Sequence, residues 1–186
     1  YFIDNDDFFQ NRLQIVDEQG NEYEDNGERA IFYSRGVLET VKKLRWCPDV
    51  IHCHGWMTAL APLYIKKAYK DEPSFREAKV VISLYEDEFK KPLQEDFASK
   101  LMLKGIAKKD LASLKKEIDY VALCKLAIEQ ADGVILQSPN INQELVEYAK
   151  SLGKPVLEYQ APEAYADACN DFYNMVMESD NEETNE

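Results

Sequence analysis

Apolar residues in this chain follow two rhythms. Short runs rich in β-branched residues read as strands: Val50-Ile51-His52-Cys53, Lys79 to Tyr85, Gly133 to Gln137 and Pro155 to Tyr159. The runs do not alternate with polar residues, as expected for strands covered on both faces. Tyr1-Phe2-Ile3 predicts a further short strand, with turn chemistry at Asp4-Asn5-Asp6-Asp7. Between the runs the spacing becomes helical. Ile31, Val37, Leu38, Val41 and Leu44 share one face of a helix predicted from Glu28 to Arg45, and Pro48 prevents its continuation. Leu60, Leu63, Tyr64 and Ala68 mark a second helix over Thr58 to Tyr69. The stretch from Glu95 to Gln130 is predicted mostly helical, broken near Gly105 and resumed around Leu111 and Leu126. Ser138-Pro139-Asn140 is predicted to open another helix by capping, and Gly153 to end it. A last helix is predicted over residues 162 to 177.

Strands alternating with helices predict an α/β fold, a three-layer Rossmann-like parallel sheet. The expected organisation is one domain over residues 1–177 followed by an acidic tail, ESDNEETNE, over 178–186. Ligands of such sheets bind beyond the C-terminal ends of the strands. Those ends carry His54-Gly55-Trp56, Tyr85-Glu86-Asp87 and Gln137-Ser138-Pro139, and these three loops are the predicted cleft.

The bulk numbers narrow the partners. The chain has 186 residues, 45% of them hydrophobic, enough for one core. A formal net charge of −13 disfavours a phosphate backbone, so no nucleic-acid partner is expected. The short basic pieces Lys108-Lys109 and Lys115-Lys116 read as solvated helix faces. No apolar run approaches the roughly 18 residues of a membrane span. The cysteines are Cys47, Cys53, Cys124 and Cys169, without a C-x-x-C pair, which points to reduced thiols and a cytoplasmic protein. Tyr1-Phe2-Ile3 begins abruptly, so an N-terminal portion before Tyr1 is expected.

Several chemistries fit poorly. Residues 17 to 28, DEQGNEYEDNGE, lack the oxygen ligands and glycine of a calcium loop at the required steps. His52 and His54 lie on one side of a strand, but two imidazoles do not complete a zinc site, and there is no further histidine. Cys53 points to the opposite face and reads as a small core residue rather than a nucleophile. No Gly-rich phosphate loop, Walker loop or G-x-S-x-G elbow is present. No metal or cofactor is therefore expected. Trp56 reads either as core or as the flat wall of a sugar site. His54 reads either as a helix cap or as a partner for a substrate hydroxyl.

The residues nevertheless resemble a family. PDVIHCHGWMTALAP, residues 48–62, is similar to the PD-V-x-H-x-H-D-W-x-T-x-L-x-P stretch of bacterial glycogen and starch synthases, glycosyltransferase family 5. YFIDNDDFF, DNGERAIFYSRGVLE and ADGVILQSPNINQEL resemble three further stretches of that family, so the likeness covers about residues 1 to 152. The resemblance implies the N-terminal half of a GT-B glycosyltransferase, the side that mainly meets the acceptor glucan. The implied activity is transfer of glucose from a nucleotide sugar, ADP-glucose, to an α-1,4-glucan. The implied sugar cleft holds His54, Gly55, Trp56, Thr58, Tyr85, Glu86 and Ser138, with α-glucan and nucleotide sugar as partners.

The match departs from the family at two cleft positions. Gly55 stands where the family has the aspartate of H-D-W, and Tyr85 stands where it has the histidine of T-x-H-N. The donor domain and the K-x-G-G-L loop that help hold the donor phosphates are not in this sequence. This chain alone is therefore not expected to catalyse transfer. The competing expectation is a non-catalytic domain that binds glucan or a synthase partner, and a third is a generic α/β domain whose three loops pack shut.

Overall fold

The computed structural model describes residues 3–114 and 117–183. Tyr1 and Phe2 of the expected first strand, and the Lys115-Lys116 pair, lie outside the described residues. Four parallel strands form one sheet: β1 (Val50–His54), β2 (Lys79–Leu84), β3 (Gly133–Leu136) and β4 (Val156–Leu157), ordered β1-β2-β3-β4. Ile51 pairs with Val80, Ile82 with Val134 and Ile135 with Leu157. Every step across the sheet goes the same way. Right-handed crossovers then place all connecting segments on one face. That face packs Cys53, Val80, Ile82, Leu84, Val134 and Leu136 into the larger core.

The helices that cover it are α2 (Asn26–Lys43), α3 (Ala61–Leu63), α5 (Tyr120–Gln130) and α6 (Gln143–Ser151). Ahead of them a single turn, α1 (Asp6–Phe9), starts where the Asn5 side chain accepts from Phe8 N at 3.0 Å, so the Asp4 to Asp7 run caps a helix rather than forming a turn alone. In α2 the buried stripe is Ala30, Ile31, Ser34 and Leu38, whereas Leu44 is exposed. Asp119 caps α5 by accepting from Ala122 N at 2.8 Å. Asn142, not Ser138, caps α6, accepting from Glu144 N at 3.0 Å. Ser138 instead accepts from Asn140 N and closes a local turn ahead of the helix. Gly153, at φ 68, ends α6 as expected.

Two predicted helices are interrupted. Residues 56–69 form a 3₁₀ turn at Trp56–Thr58, then α3, then a π-turn at Tyr64–Ala68. Pro62 has no N–H to continue a helix begun at Thr58, so regular structure restarts there. The π-turn is closed by Tyr69 N donating to Tyr64 O at 2.9 Å. Gly105 lies against it at φ 101, where a Cβ would sit 2.5 Å from the Lys67 carbonyl oxygen. Between Leu101 and Asp119 the chain is mostly irregular, with one short helix before it, α4 (Phe97–Lys100), and a 3₁₀ turn at Lys108–Leu111. Its buried anchors Leu101, Ile106, Leu111 and Ile118 recur at steps of five and seven, which no helix face can present together.

The second face of the sheet is covered by one element, α7 (Pro162–Glu183), which runs past the boundary expected at 177. Cys169, Phe172 and Val176 pack on Val81 and Ile135. Beside this small core runs a polar seam. Ser83, fully buried, lies 2.6 Å from His52 Nε2 and accepts from Gln137 Nε2 at 2.8 Å. His52 Nδ1 lies 2.6 Å from Tyr173 Oη, so the imidazole bridges Ser83 and α7. Gln137 also reaches Tyr165 Oη at 2.8 Å. Two tyrosines of α7 thus bind one continuous network on the sheet.

Two outcomes follow from this packing. The Asp132 carboxylate accepts from the buried Val80 N–H at 2.7 Å and pairs with Lys66 at 2.6 Å. Asp132→Ala is expected to lower the unfolding free energy by about 1–3 kcal/mol in urea denaturation, because Val80 N–H is left unsatisfied. Glu77→Ala, at an exposed ion pair with Arg76, is expected to stay within about 0.5 kcal/mol. Burial, and secondarily the charge of His54, pushes His52 from its ordinary 6.5 down to about 4, and burial lowers His54 in the same direction. The unfolded chain takes up these protons first, so their contribution is complete above about pH 6.5 and is lost as the pH falls toward 4. The thermal midpoint is expected to drop through that window, with a shallower slope in His52→Gln.

Candidate functional site

The C-terminal ends of β1, β2 and β3 carry the three predicted loops, and side chains tie them together. His54 Nδ1 lies 2.9 Å from Tyr85 Oη, joining the β1 and β2 loops. Ser138 donates to Glu86, joining the β3 and β2 loops. His54 stacks on His52 with ring centroids 3.9 Å apart. Both imidazoles thus stand on the α7 side of the sheet, as their alternation with Cys53 predicts. Cys53 is buried in the larger core, and burial pushes its thiol up to about 12, which suits packing and not nucleophilic attack.

Trp56 is the predicted site residue that the structure removes from the cleft wall. It is 1% exposed and meets Phe89 edge to face at 4.9 Å, so it offers no flat face to a ligand here. Its backbone N–H still serves the site by donating to Asp87 Oδ2 at 3.1 Å. Thr58 donates to the Gly55 carbonyl at 3.0 Å and holds the turn after β1. His54 is exposed and carries no helix-capping contact among the described residues.

Beside His54 and Thr58 opens a cavity of about 550 Å³ that the strand-end rule alone did not locate. Phe9, Arg12, Arg29 and Tyr33 form its other walls. Its arginines are already engaged. Arg29 is buried and donates to the Phe8 carbonyl (2.9 Å), Asn26 Oδ1 (2.7 Å) and the Leu13 carbonyl (2.9 Å), pinning the α1 segment onto α2. Arg12 forms a two-pronged pair with Asp25 at 2.7 and 2.5 Å, which raises its own pKa and holds the Asp25 carboxyl below its usual range. Besides the engaged arginines, the cavity presents two aromatic rings, two imidazoles, a hydroxyl, the Gln14 amide and the apolar side chains of Leu13 and Met57. That lining suits a ligand with apolar faces and neutral hydroxyls.

On the far side of the His54–Tyr85 pair, Tyr85, Glu86, Glu88, Asn140 and Asn142 surround a second, polar hollow of about 350 Å³. Tyr85 is half-buried, and burial followed by the charge of Asp87 raises its pKa, so it acts here as a phenol. Sequence reasoning missed Phe9, Arg12 and Tyr33, and it placed Asp87 in a predicted cleft loop without giving it a role. For the first three no local signal existed, since they come from segments outside the strand ends. Asp87 was legible as the next residue of the same acidic run.

Comparison with known proteins gives this geometry a family. The model of the starch synthase catalytic domain matches residues 1–157, so α7 lies beyond the matched region. The glycogen synthase of Chlorobium luteolum is 32% identical over 133 residues, covering 71% of this chain and 26% of that protein. The glycogen synthase of Pelodictyon phaeoclathratiforme is 29% identical over 165 residues, covering 87% of this chain and 33% of that protein. This chain thus spans about a quarter to a third of the length of these curated relatives. Among solved structures, the catalytic domain of Starch Synthase IV from Arabidopsis thaliana, described as bound to ADP and acarbose, shares the fold with a TM-score of 0.55 and 20% identity, covering 76% of this chain and 31% of that one. With most of its length matched by a single family model, the chain belongs to the starch synthase catalytic domain family.

Proposed function

We propose that this chain forms the acceptor side of a glycogen or starch synthase-like glucosyltransferase. In that reading it presents the end of an α-1,4-glucan to a glucose carried on a nucleotide sugar, ADP-glucose, held by a separate donor domain. The observation that carries the reading is the cavity beside His54, whose two arginines are already engaged and whose other lining combines aromatic and apolar side chains with hydrogen-bonding groups. Pyranose rings pack on aromatic faces, and hydroxyl groups meet the imidazole and Thr58. His54 and Thr58 line this cavity, and Gly55, Tyr85, Glu86 and Ser138 are the proposed continuation of the sugar cleft across the neighbouring loops. The second loop carries Glu86, Asp87 and Glu88 in succession, a setting that repels a diphosphate. Stabilising the leaving diphosphate is therefore assigned to the donor domain. The domain would span residues 1–177 in a cytoplasmic protein, a location that the four free thiols fit.

A second reading, a non-catalytic glucan-binding or synthase-partner domain, is favoured by one observation. Tyr85, at the position where the family resemblance expects a histidine, is engaged with His54 and does not titrate near neutral pH. Calorimetric titration with maltooligosaccharides and an ADP-glucose-dependent elongation assay separate the two. Binding by the chain, with elongation only when a donor half is supplied, is the expected result. Binding without elongation under any pairing favours the second reading; absence of both binding and elongation removes the first, and, with no synthase partner in pull-downs, the second as well. Tyr33→Ala, at the cavity rim, is expected to weaken maltooligosaccharide binding about three- to tenfold.

A further inference from the structure

The loop after β1 has no carboxylate in its own sequence, yet one occupies its space. Gly55 has φ 72 and ψ 174, a conformation essentially reserved for glycine. A Cβ built on it would lie 2.6 Å from Oδ2 of Asp87, close to the distance between an aspartate's Cβ and its own carboxylate oxygen. Residue 55 therefore points at the carboxylate it lacks. Two buried donors fix that carboxylate. Trp56 N–H donates to Oδ2 at 3.1 Å, and Tyr120 Oη lies 3.0 Å from Oδ1 and equally from the Tyr85 carbonyl. Burial, followed by the neighbouring Cys124 and Asp87, raises the Tyr120 phenol, so it keeps its proton to donate. Trp56 and Tyr120 are 1% and 3% exposed, so neither anchor moves without disturbing the core.

Asp87 itself is only half-buried. Its two oxygens offer about four acceptor directions, and the protein uses two. The Cβ position of Gly55, 2.6 Å from Asp87 Oδ2, is 3.8 Å from the Tyr85 ring, and Asp87 lines a hollow of about 460 Å³ with Glu86, Glu88, Lys90 and Lys91. Charges of both signs meet there, and a hydroxyl that donates to the Asp87 carboxylate gains a charge-assisted bond.

We propose that Asp87 is the specificity-determining carboxylate of this cleft, binding a hydroxyl of a neutral carbohydrate from the place that Gly55 leaves open. The proposal rests on the glucan-binding reading above and adds the residue that performs the recognition. Its test uses maltopentaose as the probe and the 186-residue chain. Asp87→Asn keeps an oxygen for Trp56 N–H, lets its amide donate to Tyr120 Oη while that phenol donates to the Tyr85 carbonyl, and removes the charge; it is expected to bind about tenfold more weakly with little change in the thermal midpoint. In parallel, Gly55→Ala is expected to lower the thermal midpoint more in the parent chain than in the Asp87→Gly background, where the blocking oxygen is gone.

Equal binding by the parent and Asp87→Asn would overturn the role of Asp87 while leaving the glucan reading intact. Additive effects of the Gly55→Ala and Asp87→Gly changes on stability would overturn the claim that the two residues contend for one place. No maltopentaose binding by the parent chain would overturn the glucan reading and, with it, the assignment of Asp87.

Discussion

The structure depends on burying β2 completely. All six residues from Lys79 to Leu84 are buried, with parallel neighbours on both edges and packing on both faces. Such a strand leaves no polar group to solvent, so every one must find a protein partner. Val80 N–H finds the Asp132 carboxylate, which hooks the start of β3 beside β2. Ser83, the hydroxyl in the middle of the run, finds His52 and Gln137 on the two adjoining strands. One buried hydroxyl thereby links His52 and Gln137, through which Tyr173 and Tyr165 of α7 join the network. A sheet face that would otherwise carry an unsatisfied polar row becomes the dock for the last helix.

The site inherits its rigidity from that same strand. Tyr85, Glu86 and Asp87 follow Leu84 directly, so the residues that meet His54, Ser138 and Trp56 emerge from the fully buried strand of the sheet. The other wall is held differently. Arg29 is buried among backbone carbonyls and an amide oxygen, where its donors satisfy groups of the α1 segment and bring Phe9 and Arg12 to the cavity. Its positive charge therefore organises structure and is not available to a phosphate. Carboxylates and aromatic rings frame the strand-end loops and the cavity beside them.

Much of this was legible in the chain. The four β-branched runs became the four parallel strands, because continuous apolar segments of that length are stable only when covered on both faces. Alternation along β1 placed both histidines on one face and Cys53 on the other. The departures have local physical causes. Pro62 splits the predicted helix after β1, and the five-residue spacing of Leu101, Ile106 and Leu111 withholds a helix where composition alone favours one. Asn142 takes the cap expected of Ser138 because Ser138 is drawn into a turn and toward Glu86.

The sequence by itself determined the class of fold, the strand ends that carry the site and the family resemblance, since these depend on periodicity and on contiguous motifs. The tertiary structure alone decided which side chains meet. Trp56 turned inward against Phe89, Phe9 and Tyr33 came to the cavity from distant segments, and the carboxylate missing at Gly55 arrived from Asp87 on the neighbouring loop. Those outcomes depend on strand register and on the packing of residues about thirty positions apart in the chain. Register is set by burial across the whole sheet, which no local stretch of sequence contains.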